Sequence, residues 1–219
     1  MIKEVDLVYT WVDGEDPVRL SYMSYFRKRF KSATYGCCHK ERFEDYHQLK
    51  YSLRSVSKYI PWVRKIHIVT SFNQCPSWID TNHPKINMVN DYDIMPDGST
   101  PTFNSHAIEA NLHNIPDLST NFIYLCDDFY FNSVLTPNHF FRSNTPLSFF
   151  RYGEIAPRGK PIPRDAYRCG IKNANNILDK TFGIKERTYI KHVVYPLNVD
   201  IYNEMYNQYS EHLIHTSFA

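Results

Sequence analysis

Pro101-Thr-Phe-Asn-Ser-His-Ala-Ile-Glu109 and the following run Asn121-Phe-Ile-Tyr-Leu-Cys-Asp-Asp128 are the stretches on which the fold turns. The first reads as a loop that opens a helix, with Asn104 or Ser105 as its N-cap. The second is a short apolar run that ends on two carboxylates, as a buried strand does when it delivers them to its tip. A helix start beside a strand tip gathers backbone N–H donors, an imidazole, a glutamate and an acidic pair around one crevice. That set suits a diphosphate and a divalent cation.

The same alternation of strands and helices runs outward in both directions. Val5-Asp-Leu-Val-Tyr-Thr-Trp11 is β-rich and is halted by Asp13-Gly14 and Asp16-Pro17. Residues 18–42 form an aromatic, basic insertion with helical character. Asp45 and Gln48 resemble a capping box, after which Leu49, Leu53, Val56 and Ile60 recur at helical spacing until Pro61. Lys65–Thr70 and Lys85–Val89 are strands, and Pro76-Ser-Trp-Ile79 starts a short helix. Residues 91–103 are a loop. The helix of 104–114 carries Ile108, Leu112 and Ile115 on its apolar side. Leu147–Phe150 is strand-like and precedes a loop with Pro157, Pro161 and Pro163. Two helices follow, around 173–180 and 199–209. The pattern specifies an α/β fold, a Rossmann-like mostly parallel sheet with helices on both faces and a helical C-terminal extension, in one domain spanning 1–219.

Composition narrows the function. The 219 residues are 42% hydrophobic, 22% charged and carry a net charge of +2, ordinary for a globular protein and too weakly basic for a nucleic-acid binder. Arg27-Lys28-Arg29 with Lys31 suits either a solvated helix face or an anionic membrane surface. The 17 Tyr and 14 Phe scatter through every segment, which favours aromatic cores over a dedicated stacking surface. Five cysteines form no CxxC pair, and Cys37-Cys38-His39 has no partner pair at zinc spacing, so reduced thiols are expected. Lys3, Glu4 and Asp6 interrupt the first apolar run, unlike a signal peptide, and no run reaches the ~18–20 apolar residues of a membrane span. The expectation is a soluble, cytoplasmic protein.

Ligands of open parallel sheets collect at the carboxyl ends of the strands. Asp13 with Asp16 and Asp127 with Asp128 stand at such ends. Mg²⁺ or Mn²⁺ would relieve the repulsion of the second pair; alternatively, one member caps a turn and the other is solvated. Asp91-Tyr-Asp93 has the form of the short acidic signature of metal-dependent glycosyltransferases, a triplet that is also common by chance. On the 104–114 helix, His106, Glu109 and His113 fall on one face, and Glu109 is placed to orient or deprotonate a hydroxyl. The plainer alternative leaves Glu109 and His113 as surface residues. His192 reads by default as a hydrogen-bonded structural histidine. Arg158, Lys160 and Arg164 either clamp phosphate oxygens or sit on a solvated loop. Ser105-His106 is no nucleophile pair, because adjacent helical residues diverge and no GxSxG elbow is present.

Val8-Tyr-Thr-Trp-Val-Asp-Gly-Glu-Asp16, Leu49-Lys-Tyr-Ser-Leu-Arg-Ser55, Tyr59-Ile-Pro-Trp-Val-Arg64, Pro101–Glu109 and Phe122–Asp128 together closely resemble the Stealth proteins. These are bacterial capsular polysaccharide phosphotransferases related to the catalytic subunit of animal GlcNAc-1-phosphotransferase. The order agrees over 5–16 and 43–141, more loosely over 165–210, and the family's fourth region is absent from this chain. The resemblance implies a GT-A-related core, a divalent cation, and transfer of a sugar-1-phosphate from a UDP-sugar to an acceptor saccharide hydroxyl with release of UMP. It places the catalytic glutamate on Glu109, the second acid of the pair on Asp128 and the histidine of the third region on His192. It assigns part of the donor site to the first-strand motif, Tyr9, Thr10, Trp11, Asp13 and Asp16; the residue pattern itself adds Asn104, Ser105 and His106 at the helix start as the diphosphate dock and Asp127 and Asp128 as metal ligands. Cys126 stands where the family usually has Asn. The alternatives are a glycosyltransferase releasing UDP and a non-catalytic fragment that binds nucleotide-sugar. Cytoplasmic localisation with peripheral contact at the inner face of a bacterial membrane completes the expectation; the sequence sets no oligomeric state.

Overall fold

The computed structural model describes residues 4–30, 45–160 and 166–218. Cys37, Cys38, His39, Lys31 and Arg164, singled out above, lie outside them.

Strand β1 (Val5–Thr10) sits at the centre of a five-stranded sheet of order β3-β2-β1-β4-β9. β2 (Ile66–Thr70), β3 (Ile86–Asn90) and β4 (Asn121–Cys126) run parallel to it, and β9 (Tyr195–Asn198) closes the edge antiparallel to β4. β1 and β4 are apolar almost throughout, because both of their faces are covered. On one face Val5, Leu7, Tyr9, Ile66, Ile68, Ile123 and Leu125 pack with Leu49 and Val56 of helix α2 (Gln48–Tyr59). On the other, Val8, Val69, Phe122 and Tyr124 meet Ala107 of the short helix α3 (Ser105–Glu109), Leu112 and Ile115 beyond it, and Val199 and Tyr202 of α5 (Val199–Ser217). The expected α/β class with a mostly parallel, doubly covered sheet is the observed one.

The described chain forms two compact units, where the sequence pattern treats 1–219 as one domain. The first takes in 1–23, 43–147 and 194–219 and holds the main sheet and the small hairpin of β5 (Phe141–Arg142) and β6 (Thr145–Pro146). The second takes in 24–42 and 148–193, with β7 (Phe150–Ile155) paired to β8 (Thr188–Ile190) and helix α4 (Ala166–Phe182). Helix α1 (Pro17–Phe30) realises the helical character of the basic insertion; the Asp16 carboxylate accepts from the Arg19 N–H at 2.8 Å as its cap, with Pro17 at the first helical position. No described helix is long and apolar enough to cross a membrane.

Three local expectations differ from what forms. Pro76–Ile79 is a single turn closed by the Ile79 N–H on the Pro76 carbonyl, not a helix. Asp45 and Gln48 do not box the start of α2: Gln48 is its first residue, and the two side chains accept from the His47 and Tyr46 N–H groups just ahead of it. The helix expected over 104–114 breaks after Glu109 and resumes as a 3-10 turn at Leu112–Asn114. The cause is Asn111, whose buried amide donates to the Ala107 carbonyl at 2.8 Å, caps α3, and also donates to Ser217 of α5.

Candidate active site

From β1 the chain builds outward through β2 and β3, then returns to the other side of β1 for β4. The carboxyl ends of β1 and β4 are therefore the topological switch point, where open α/β sheets bind ligands. Thr10 and Cys126 are register partners at that spot, and Asp127 and Asp128 follow directly.

Glu109 is drawn to the same place by hydrogen bonds. Tyr124, near the end of β4, donates from its hydroxyl to Glu109 Oε1 at 3.2 Å and lies 3.1 Å from Thr10 Oγ1. With its one proton on Glu109, Tyr124 accepts from Thr10, so a directed chain runs Thr10 → Tyr124 → Glu109. Tyr202 of α5 holds the other end of the residue, donating to the Glu109 carbonyl at 3.1 Å. Burial, then the charge of Glu109, hold the Tyr124 phenol far above its ordinary range, so it stays a neutral donor.

Negative charge accumulates around Cys126. Its thiol is pushed up to about 12 by burial first, then by the charges of Asp128, Glu109 and Asp127. Glu109 and the acidic pair thus act on one atom, and the thiol is an inert neighbour rather than a nucleophile. Asp127, half-buried, is raised to about 6 by burial, then by Asp128 and by Asp45. Asp128 is exposed. The loop that carries the pair is fastened by α2. Ser52 donates to the Phe129 carbonyl at 2.5 Å, and the Phe131 N–H donates to Ser55 Oγ at 3.0 Å. Ser52, Ser55, Asp45, Tyr124 and Tyr202 escaped the sequence assignment. The two serines, on the apolar side of an amphipathic helix, were the signal available.

The remaining assigned residues fall differently. Tyr9 is fully buried, with its hydroxyl bonded to Ser52 at 2.7 Å and its phenol raised by burial, so it supports the acidic loop from inside instead of touching a ligand. Trp11 is buried in the core, and its Nε1 meets no acceptor among the described residues. Asp13 and Gln74 bridge the loops after β1 and β2 through paired backbone–amide bonds of 2.9 and 3.1 Å, while the Asp13 carboxylate accepts from Glu15. Asp16 is committed to capping α1. Asn104 caps α3 by accepting from the His106 N–H at 3.1 Å, and Ser105 and His106 are exposed. A five-residue helix has too little dipole to bind a diphosphate at its start, so the anchor expected there is withdrawn. His113, expected beside His106 and Glu109, is turned away by the helix break and packs on Tyr202 and Tyr206 at ring distances of 5.2 and 4.6 Å. Asp91 is buried and accepts from Ser71, while Asp93 is exposed, so the triplet presents no shared pair of carboxylates. His192 belongs to the second unit, on the bend after β8. There Arg158 pairs with Asp179.

Among the described residues no three His, Cys, Asp or Glu side chains gather as a metal cage. Asp127 and Asp128 still fit a hard cation, which takes one or two carboxylates and completes its shell with water and substrate phosphate oxygens.

Residues 42–148 match the family model for Stealth protein CR2, conserved region 2. The chain is also 37% identical over 214 residues to an exopolysaccharide phosphotransferase of Streptomyces coelicolor, covering 94% of this chain and 35% of that protein. This chain belongs to the Stealth family. A capsular polysaccharide phosphotransferase of Actinobacillus pleuropneumoniae is 37% identical over 218 residues, covering 96% of this Stealth chain and 58% of that protein. A second one from the same species reaches 46% over 149 residues, covering 67% of this chain and 40% of that protein. The chain thus spans about a third to three fifths of the length of these relatives. A solved structure of the galactosyltransferase LgtC with donor and acceptor sugar analogs aligns at a TM-score of 0.44 and 13% identity, covering 94% of this chain and 65% of that one.

Proposed function

We propose that this Stealth chain transfers a sugar-1-phosphate from a UDP-sugar to a hydroxyl of an acceptor saccharide, releasing UMP, in the synthesis of capsule or another cell-surface polysaccharide. The observation that carries this is the convergence of Glu109 and Asp128 on the β1/β4 switch point, in a chain whose relatives are named phosphotransferases.

The acceptor oxygen attacks the β-phosphorus, its proton passes to Glu109 or Asp128, and the bond from that phosphorus to the bridging oxygen breaks as UMP departs. Thr10 and Tyr124 keep Glu109 aimed. Asp127 and Asp128 would hold Mg²⁺ or Mn²⁺, which when bound supplies neutralisation of the diphosphate charge. His192 is assigned to a phosphate oxygen or to proton transfer on the family resemblance alone. Such a reaction needs positioning and charge stabilisation, with no covalent nucleophile, and the inert Cys126 thiol is in keeping with that.

The test is incubation with a panel of UDP-sugars, Mg²⁺ and saccharide acceptors. Release of UMP with a phosphodiester in the product supports the proposal. Release of UDP would make the protein a glycosyltransferase, and donor binding without turnover a binding fragment.

A further inference from the structure

Charge is divided sharply between the two units. Within 24–42 and 148–193 there are 16 Lys and Arg against 5 Asp and Glu, a surplus of 11 that leaves the rest of the chain at −9 for the total of +2. The segment 148–193 alone has ten bases and four acids. Two of those acids are occupied, Asp179 by Arg158 and Arg187 and Glu154 by Arg151, and the net surplus stays positive after these pairs.

The same segment leaves Phe150, Tyr152, Ile155, Phe182, Ile184 and Ile190 exposed. Scattered exposed apolar residues are ordinary, but six large ones within one small unit are not. Two of them stand beside a glycine of positive φ. Tyr152, fully exposed, precedes Gly153 at φ 74°, inside β7 where the strand bulges between its two pairings with β8. Ile184, 83% exposed, follows Gly183 at φ 77° on the bend beyond α4. The backbone bond from the Ala156 N–H to the Arg187 carbonyl, 2.8 Å, lies within four residues of both, so each is at most about 14 Å of extended chain from it. Arg151 adjoins Tyr152 and Lys185 adjoins Ile184. Phe150 and Ile190 are direct cross-strand partners and share a side of the ladder, whereas Arg151 lies over the Tyr189 ring.

We propose that this unit docks the protein on an anionic bilayer, with Tyr152 and Ile184 entering the interface and the surrounding Lys and Arg meeting acidic headgroups. A soluble polyanion would answer the charge and leave all six apolar side chains in water, so the bilayer is the occupant that matches both features. The inference rests on the proposed role in cell-surface polysaccharide synthesis for bringing the enzyme to a membrane, but its test needs no turnover.

The full chain is co-sedimented with vesicles of phosphatidylcholine alone and of phosphatidylcholine with 30% phosphatidylglycerol, at low and raised salt. Binding is expected only to the anionic vesicles, weakened by salt and at least tenfold weaker for the Tyr152→Ser, Ile184→Ser double variant with unchanged circular dichroism. Equal binding by that variant, equal binding to neutral vesicles, or no binding to either would overturn the proposal. So would retention on heparin without retention on vesicles, which points to a soluble polyanion. Vesicle binding with no nucleotide release from any donor would count against the transfer reaction and leave the docking surface standing.

Discussion

Glu109 is held at both ends, its carboxylate by Tyr124 and its backbone by Tyr202, and a side chain so held is suited to meet a substrate hydroxyl. Glu109→Gln keeps the Tyr124 hydrogen bond and loses the base, and a lost general base should lower kcat by roughly 10²–10⁴-fold, with the melting temperature unchanged. Asp128→Asn, at an exposed position, is expected to behave alike; near-normal turnover in both would remove these residues from the reaction. Tyr124→Phe removes the aiming bond to Glu109 together with the contact to Thr10 and should lower kcat about tenfold at constant KM, since a hydrogen bond to a charged group is worth roughly 1.5–3 kcal/mol. Asp127 makes a prediction in the opposite sense. Its folded pKa, about 6, exceeds the ordinary 3.8, so the folded state alone holds the proton between these values. Its contribution is therefore present below about pH 4 and is lost as pH rises through about 6. In EDTA, Asp127→Asn should match the wild type near pH 4 and melt higher at pH 7, and Mg²⁺ should narrow that gap by stabilising the ionised wild type. Identical melting curves at both pH values would contradict the account of Asp127.

At the scale of elements, the strands were legible wherever local alternation decided them, and much of the site came with them. Val5–Thr10, Ile66–Thr70, Ile86–Asn90 and Asn121–Cys126 lie within a residue or two of where apolar patterning and turn residues put them. The elements that differ were decided at long range. Nothing near Asn111 announces that its amide will be claimed by Ser217 and Tyr206 of α5, ending α3 early and carrying His113 off the Glu109 face. β9 was hidden by Pro196, which argues against a strand but is tolerated here because β9 is an edge paired only with β4. The amino ends of the strands hold a further network of this kind. Asp6, fully buried, accepts from Arg64 at 2.9 and 2.6 Å, from the Ser119 N–H at 2.8 Å and from the Lys65 N–H at 3.0 Å, with His67 Nε2 at 3.1 Å. Burial raises its pKa, but the bonds from His67, Arg64 and Ser119 outweigh that and bring it to about 2. Being depressed, it stabilises the fold fully above pH 4 and loses about 2 kcal/mol as pH falls toward 2. Asp6→Asn removes the charged acceptor shared by Arg64 and His67, while Arg64 keeps its pairs with Asp117 and Glu4, and should cost about 1–3 kcal/mol in urea unfolding, with transfer per folded molecule preserved because the network lies at the other end of the sheet from Asp128.

For the molecule as a whole, the topology makes the site. A mostly parallel sheet that reverses its direction of growth at β1 has its switch point at the carboxyl edge of β1 and β4, and Asp127 and Asp128 follow β4 there. The second unit carries the positive surplus, and Glu109, Asp127 and Asp128 belong to the acid-rich remainder, a separation legible in the sequence only once the unit boundaries are known. The central claim is that Glu109 and Asp128 flank a cation-assisted diphosphate at the β1/β4 tips. The direct measurement is a crystal structure with UDP and Mn²⁺, using the anomalous signal to locate the metal. The account predicts a manganese peak in contact with Asp128, with the diphosphate between it and Glu109. A nucleotide bound away from those strand tips, with its metal held by other residues, would contradict it.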